Sequence, residues 1–327
     1  MYNTGLEQVE EGKMVGVLLC DQSAAFDLCD HYLLVEKLKL MGVEEHTCAW
    51  IMSYLSGRKQ SCFIDGIMSQ ALDLPPCGVP QGSIGGPLLW VIFTCDQPDV
   101  IHDHQVDGQD IHRGCLQGAQ LKQEGCGEMV GYVDDEAYSY AHDDPAVLSQ
   151  VLTNKYNLLE EWMHANKLVI NPDKTHIMVM ASKKECKEKK RSEYDSWRIY
   201  NQTIRIKKLL GGQLHESLHW NHHLRDHDQS LMKQLTCRIN GLKRVCGSEG
   251  FATKLMVANG IIMSKLMYLM VVWGGAQQYL LNALQVQQLT AARAVCGFAC
   301  WGWSKKRLLD RTGWLSIRQL IFFHTAL

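Results

Sequence analysis

Apolar positions first gather at Met14 to Cys20 (MVGVLLC), an unbroken run of strand length. Such a run predicts a buried strand, and it delivers Asp21 where the strand leaves the core. From Asp30 the period lengthens: an Asp cap, apolar residues at Leu34, Leu38 and Met41, and Gly42 as a stop define a helix. A second helix is expected from Glu44 to Leu55, ending at Gly57. Between Ser61 and Leu74 the pattern alternates about Asp65-Gly66, the favoured pair for a two-residue hairpin turn. A Pro/Gly-rich loop, Pro75 to Pro87, then runs into an apolar helical stretch from Leu88 to Phe93.

The segment from His102 to Gly127 is polar, glycine-punctuated and unpatterned, as a loop insertion would be. After it, two apolar-aromatic arms, Met129 to Val133 and Ala137 to Tyr140, flank Asp134, Asp135 and Glu136, which predicts a hairpin with acids at its tip. Asp144-Pro145 supplies a cap and a first-turn proline for a helix carrying Leu148, Val151, Leu152, Leu158, Leu159 and Trp162 inward. Asn171-Pro172 turns the chain into a strand from His176 to Met180, and the charge run Lys183 to Arg191 marks a domain boundary. A hairpin is expected from Trp197 to Lys207 around Asn201-Gln202, leading through Leu209 to Gly212 into a last strand. His222 to Leu327 is patterned as helices separated near Gly247 and Gly274. Strands and helices alternate early and helices dominate late, an α/β (α+β) chain.

Composition sharpens this picture only when it is split. The 327 residues are 46% hydrophobic and 21% charged, ordinary globular values for a chain of about two domains. The formal net charge of −2 conceals 10 basic against 26 acidic side chains in residues 1–182, and 23 against 9 in residues 183–327. The basic half suits a polyanion, and the acidic half suits divalent cations. The 13 cysteines are scattered without a Cys-x-x-Cys pair, which predicts reduced thiols in an intracellular protein. Gly260 to Trp273 is interrupted by Lys265 and is shorter than the roughly 20 residues of a spanning helix, so no membrane span is expected.

Two sites concentrate acid at strand ends: Asp21, and the Asp134-Asp135 pair. Clustered carboxylates repel unless cations or donors compensate, and oxygen ligands favour Mg²⁺. Two such ions about 4 Å apart would stabilise both the attacking and leaving oxygens of a phosphoryl transfer. Neighbouring strand residues face opposite ways, which makes Asp134 the primary ligand beside Asp21. His102, His104, His112, Cys115 and Cys126 lack a compact paired-ligand spacing, so no zinc site is assigned; Cys296 and Cys300, one helical turn apart, are expected on a packed face.

Four strings give these acids their context: Asp21-Gln-Ser-Ala-Ala-Phe26-Asp27, Gly78-Val-Pro-Gln-Gly-Ser83, Tyr132-Val-Asp-Asp135 and Asn171-Pro-Asp-Lys174-Thr175. They occur in the order and rough spacing of reverse transcriptase palm motifs, and the chain resembles the reverse transcriptases of non-LTR (LINE-type) retrotransposons from about Met14 through Leu214. The tail string Gly313 to Gln319 resembles the region after the polymerase in such elements. One string alone is a weak signal; four in sequence are specific.

The resemblance implies a polymerase palm of antiparallel strands and packed helices over residues 1–182, a basic linker and palm–thumb hairpin over 183–215, and a helical thumb and connection over 216–327. It implies that Asp21, Asp134 and Asp135 hold two Mg²⁺ (or Mn²⁺) ions and that Lys174 approaches the triphosphate. Phe26 stands at the steric-gate position, where a bulky ring excludes a 2′-hydroxyl and selects dNTPs. Pro80, Gln81 and Gly82 form a loop that lets backbone approach the nucleotide. Lys233, Arg238, Lys243 and Arg244 would contact phosphates of an RNA template and DNA primer without reading sequence.

The chain departs from the family in three ways. Only 20 residues precede Asp21, where the family places most of its fingers, so the chain is expected to be truncated there and weak or inactive. Glu136 stands where a neutral residue is usual, adding repulsion at the hairpin tip. The 102–127 insertion separates two motifs. The rival expectation is a catalytically inactive nucleic-acid-binding remnant; Phe26 disfavours a third, an RNA-templated RNA polymerase.

Overall fold

The computed structural model describes residues 2–22, 24–98, 127–132, 135–181, 204–297, 300 and 302–326. They form two compact units, residues 3–204 and 205–327.

In the first unit, helix α1 (Tyr2–Glu10) leads into strand β1 (Met14–Asp21). Three helices follow: α2 (Ala25–Leu28), α3 (His31–Leu40) and α4 (Glu45–Leu55). Asp30 caps α3 as its sequence predicts, accepting from the Leu33 amide at 3.0 Å. Leu34 and Leu38 are buried, whereas Met41 lies past the helix end and is exposed. Two short pairs, β2 (Lys59–Gln60) with β5 (Leu72–Asp73) and β3 (Phe63–Ile64) with β4 (Ile67–Met68), form the expected ribbon. Its turn residues Asp65 and Gly66 both have positive φ, as a two-residue hairpin of this hand requires.

Helix α5 (Gly85–Phe93) begins three residues before the expected Leu88. Ser83 explains the earlier start: its hydroxyl accepts from the Gly86 amide at 2.9 Å, and Pro87 is tolerated because first-turn amides have no helical acceptor. The expected insertion from His102 to Gly127, with its His and Cys residues, lies outside the described residues except for Gly127. Strands β6 (Glu128–Tyr132) and β7 (Asp135–His142), helix α6 (Pro145–Ala165) and strand β8 (His176–Met180) complete the unit.

The four long strands make one antiparallel sheet in the order β6-β7-β1-β8. β1 is hydrogen-bonded along both edges, and its first seven residues are buried, which is why that stretch is apolar without alternation. α6 packs onto one face of it. A Cβ added at Gly16 would lie 2.6 Å from Leu152 Cδ1 and 3.0 Å from Leu148 Cδ1, so the glycine is what allows helix and strand to approach.

The second unit opens with a hairpin, β9 (Ile206–Leu209) and β10 (Gly212–His215), turning at Leu210-Gly211, both at positive φ. The expected arm from Trp197 to Tyr200 and the charge run from Lys183 lie outside the described residues. A π-helical turn (His222–Asp226) precedes the helices α7 (Leu231–Val245), α8 (Phe251–Ala258), α9 (Ser264–Met267), α10 (Met270–Trp273), α11 (Gln278–Cys296), α12 (Lys305–Thr312) and α13 (Ile317–Thr325). Leu231, Leu235, Ile239 and Leu242 form the buried stripe of α7, and Trp273 is fully enclosed. The tail is tied in by polar contacts: Trp314 Nε1 donates to Asn259 Oδ1 at 2.8 Å, and Gln288 Nε2 donates to the Leu315 carbonyl at 2.8 Å. Cys296 and Cys300 both pack against the core of this unit, as expected, but not from one helix, because α11 ends at Cys296 and the chain turns at Gly297 (φ 73°). Among the described residues no helix is long and apolar enough to cross a membrane.

Gly16→Val should destabilise the first unit by about 1–3 kcal/mol through overpacking against α6, read from urea midpoints; a neutral effect would contradict the close approach. In the second unit, burial pushes His223 and His215 down to about 4. Both imidazoles regain a pKa near 6.5 on unfolding, so stability is full above about pH 6.5 and declines as pH falls toward 4. Thermal melts should show that decline, and His223→Asn should reduce it.

Candidate active site

The site begins where β1 ends. Asp21 pairs with Asp135 across the β1–β7 ladder. Directly opposed residues share a face with Cα atoms about 4.5–5.5 Å apart, so two carboxylates are held side by side by backbone register alone. Asp134 lies outside the described residues. Among the described residues no group of three or more His, Cys, Asp or Glu side chains gathers as a metal site.

Lys174 arrives from the other edge of β1. The Asn171 amide donates to the Asp21 carbonyl at 3.0 Å, and the turn closes on itself through Lys174 and Thr175 amides donating to the Asn171 carbonyl. Asn171 Oδ1 also accepts from the Asp173 amide at 3.1 Å, the side-chain turn for which Asn is suited. Lys174 Nζ therefore stands 3.1 Å from Asp21 Oδ1. Residues 153 positions apart meet because β1 is the shared central strand.

The second cluster surrounds the turn after β1. The Val79 amide donates to the Phe26 carbonyl at 2.8 Å and the Gly78 amide to the Cys29 carbonyl at 2.7 Å, which seats the Gly78–Gln81 loop on α2. Gly78 has φ +91°, and a Cβ there would lie 3.0 Å from the Asp27 carbonyl oxygen, so both conformation and space demand glycine. Gln81 Nε2 reaches Asp27 Oδ1 at 3.4 Å; Pro80 is half-buried, and Gln81 and Gly82 are exposed. The half-buried Phe26 ring stacks on Trp90 of α5 with centroids 5.5 Å apart. Phe26, Pro80, Gln81 and Gly82 are thus neighbours, and Trp90 is a supporting residue that the motif strings did not reveal.

Glu136 is not the third acid of the tip. Alternation turns it to the opposite face from Asp135, where it pairs in register with buried Cys20 and is 6% exposed. Its Oε1 accepts from Gln22 Nε2 at 2.5 Å and from Gln97 Nε2 at 2.8 Å, and its Oε2 accepts from Gln97 Nε2 at 2.8 Å. Burial pushes its carboxyl up to about 7, and the two amide donors oppose that rise. The period-two rule, applied one residue further along the strand, was the signal for this placement.

The basic residues of α7 differ in their engagements. Lys233 Nζ pairs with Asp228 Oδ1 at 2.8 Å, Arg238 donates to the Ile261 carbonyl at 2.5 Å, and Arg244 Nε donates to the Asn240 carbonyl at 3.5 Å. Lys243 is exposed in the last turn and, with Lys254 and Arg293, lines a cavity of about 580 Å³.

Residues 4–241 match the family model described as reverse transcriptase (RNA-dependent DNA polymerase). The chain belongs to this family, a nucleotidyltransferase class, and its likeness is to the non-LTR, LINE-type branch. It is 26% identical over 298 residues to the RNA-directed DNA polymerase from mobile element jockey of Drosophila funebris, covering 91% of this chain and 30% of that protein. The jockey protein of Drosophila melanogaster aligns at 22% identity with the same two coverages, and the probable RNA-directed DNA polymerase from transposon BS at 26% over 52% of this chain and 17% of that protein. The chain therefore spans about 30% of the length of the jockey proteins it matches. Among solved structures, telomerase from Candida albicans aligns over 99% of this chain and 49% of that one, at 12% identity and a TM-score of 0.37. The family works with divalent metal ions and nucleic-acid strands.

Gly78→Ala should cost about 1–3 kcal/mol because strained φ and a backbone contact coincide there. Gly82→Ala, at φ +81° in open space, should cost less. Urea midpoints that fall equally for both would contradict the tight seating of this loop on α2.

Proposed function

We propose that the chain carries the nucleotidyl-transfer centre of an RNA-directed DNA polymerase, with a palm over residues 1–182, a linker and palm–thumb hairpin over 183–215, and a helical thumb and connection over 216–327. The observation that supports it is the convergence of Asp21, Asp135 and Lys174 from three separated motifs on one end of one sheet.

The donor set fits a hard divalent cation. Asp21 and Asp135 offer carboxylate oxygens, with no thiolate or imidazole among the site residues, which favours Mg²⁺ or Mn²⁺. Asp21, Asp134 and Asp135 would hold two such ions. When bound, they would supply Lewis-acid stabilisation of the attacking and departing oxygens. A primer 3′-oxygen forms a bond to the α-phosphorus of a dNTP, the bond to pyrophosphate breaks, and the hydroxyl proton is lost to solvent.

The chain's own residues supply the rest. Lys174 carries a positive charge beside Asp21 that is suited to the triphosphate and to protonating the departing pyrophosphate oxygen from Nζ. The Phe26 ring, backed by Trp90, forms a wall against a 2′-hydroxyl, and Gln81 donates from Nε2 to phosphate or sugar. Pro80 and Gly82 shape the loop backbone around that nucleotide. Lys233, Arg238, Lys243 and Arg244 attract the phosphates of an RNA template and DNA primer, with a steep salt dependence.

Primer extension on an RNA template with Mg²⁺ and dNTPs tests this reading. Product that Asp21→Asn and Asp135→Asn abolish supports it. Metal-independent, salt-sensitive nucleic-acid binding without incorporation would instead identify a non-catalytic remnant, and a preference for NTPs over dNTPs would contradict the role of Phe26.

A further inference from the structure

An acid buried immediately behind a carboxylate site is an expensive arrangement. A carboxyl removed from water costs several kcal/mol unless donors replace the lost hydration. Among the described residues, the donors that meet it are side-chain amides. Gln22 and Gln97 are each 3% exposed and converge on the two oxygens of Glu136.

The positions of the three residues give the network its meaning. Gln22 directly follows Asp21, and its backbone bridges to Ile170 at the start of the turn that carries Lys174. Glu136 directly follows Asp135. Gln97 lies just past α5, where its amide donates to the Thr94 carbonyl at 3.1 Å. α5 is the helix whose Trp90 supports Phe26 and whose first turn is capped by Ser83 of the glycine loop. One buried carboxylate therefore links the strand end bearing Asp21, the strand start bearing Asp135 and the helix behind the nucleotide loop. Cys20, Tyr138 and Lys155 line the same small internal space.

We propose that Glu136 is a positioning residue: through Gln22 and Gln97 it locks Asp21 and Asp135 to α5, fixing the metal-holding carboxylates relative to the Phe26 wall. The proposal rests on the polymerase reading. A residue at this position with no acceptor would leave two buried amide donors without it and remove the side-chain link between the strand ends and the chain that follows α5.

The test compares Glu136→Ala, Glu136→Gln and Leu55→Ala, a core truncation in α4 that is remote from the network. Mn²⁺ binding is measured by electron paramagnetic resonance at a temperature where each variant is folded, and primer extension is measured in parallel. Outer-shell partners of metal ligands change affinity by about 10–100-fold when removed, and Glu136→Ala is expected near the lower bound, about tenfold weaker. Glu136→Gln keeps an accepting oxygen and is expected close to wild type, as is Leu55→Ala despite its lower melting temperature. Extension by Glu136→Ala should require correspondingly more metal, with primer–template affinity unchanged. If wild type binds Mn²⁺ and extends primers while Glu136→Ala behaves like Leu55→Ala, the positioning role is overturned and the polymerase reading stands. If wild type neither binds Mn²⁺ nor extends primers, the polymerase reading falls and the proposal falls with it.

Discussion

The register of β1 against β7 is the constraint on which the site depends. Side chains alternate along a strand, so a slip of one residue would exchange the two faces of the pair. Asp21 would then lie opposite Glu136, and the interior would receive a carboxylate without its amide donors. The observed register is held by β8 on the other edge and by α6 pressed onto Gly16, with apolar packing on both faces of β1. A polar site is thus placed by an apolar strand, whose first seven residues leave only Asp21 at the margin of the core.

Asp135 and Glu136 show how one covalent step separates two chemistries. They are adjacent in sequence, yet the first lines up with Asp21 near Lys174, while the second is enclosed by Gln22 and Gln97. The extra acid that looked like a source of repulsion at the hairpin tip is compensated in the interior by neutral donors.

Much of this was legible because the signals are short-range. The apolar run of β1, the Asp30 and Asp144 caps and the Asp65-Gly66 turn each act within a few residues, and each element formed where the pattern placed it. The start of α5 was misplaced because Gly85, Gly86 and Pro87 have poor helix propensity, whereas Ser83 supplies a cap that propensity does not include. The Phe26–Trp90 stack and the Glu136 network were hidden because they join residues 64 and 39–114 positions apart. No periodicity encodes such contacts; only the assembled sheet brings them together.

In the proposed centre, Asp21, Asp135 and the Lys174 turn lie around the bound divalent ions. Replacing Mg²⁺ with Fe²⁺ and adding ascorbate and peroxide generates radicals that cut the backbone beside the bound ion. The account predicts cuts at the end of β1, at the start of β7 and within residues 171–175, suppressed by excess Mg²⁺ and lost in Asp21→Asn. Cuts confined to other segments, or unaffected by Mg²⁺, would contradict it.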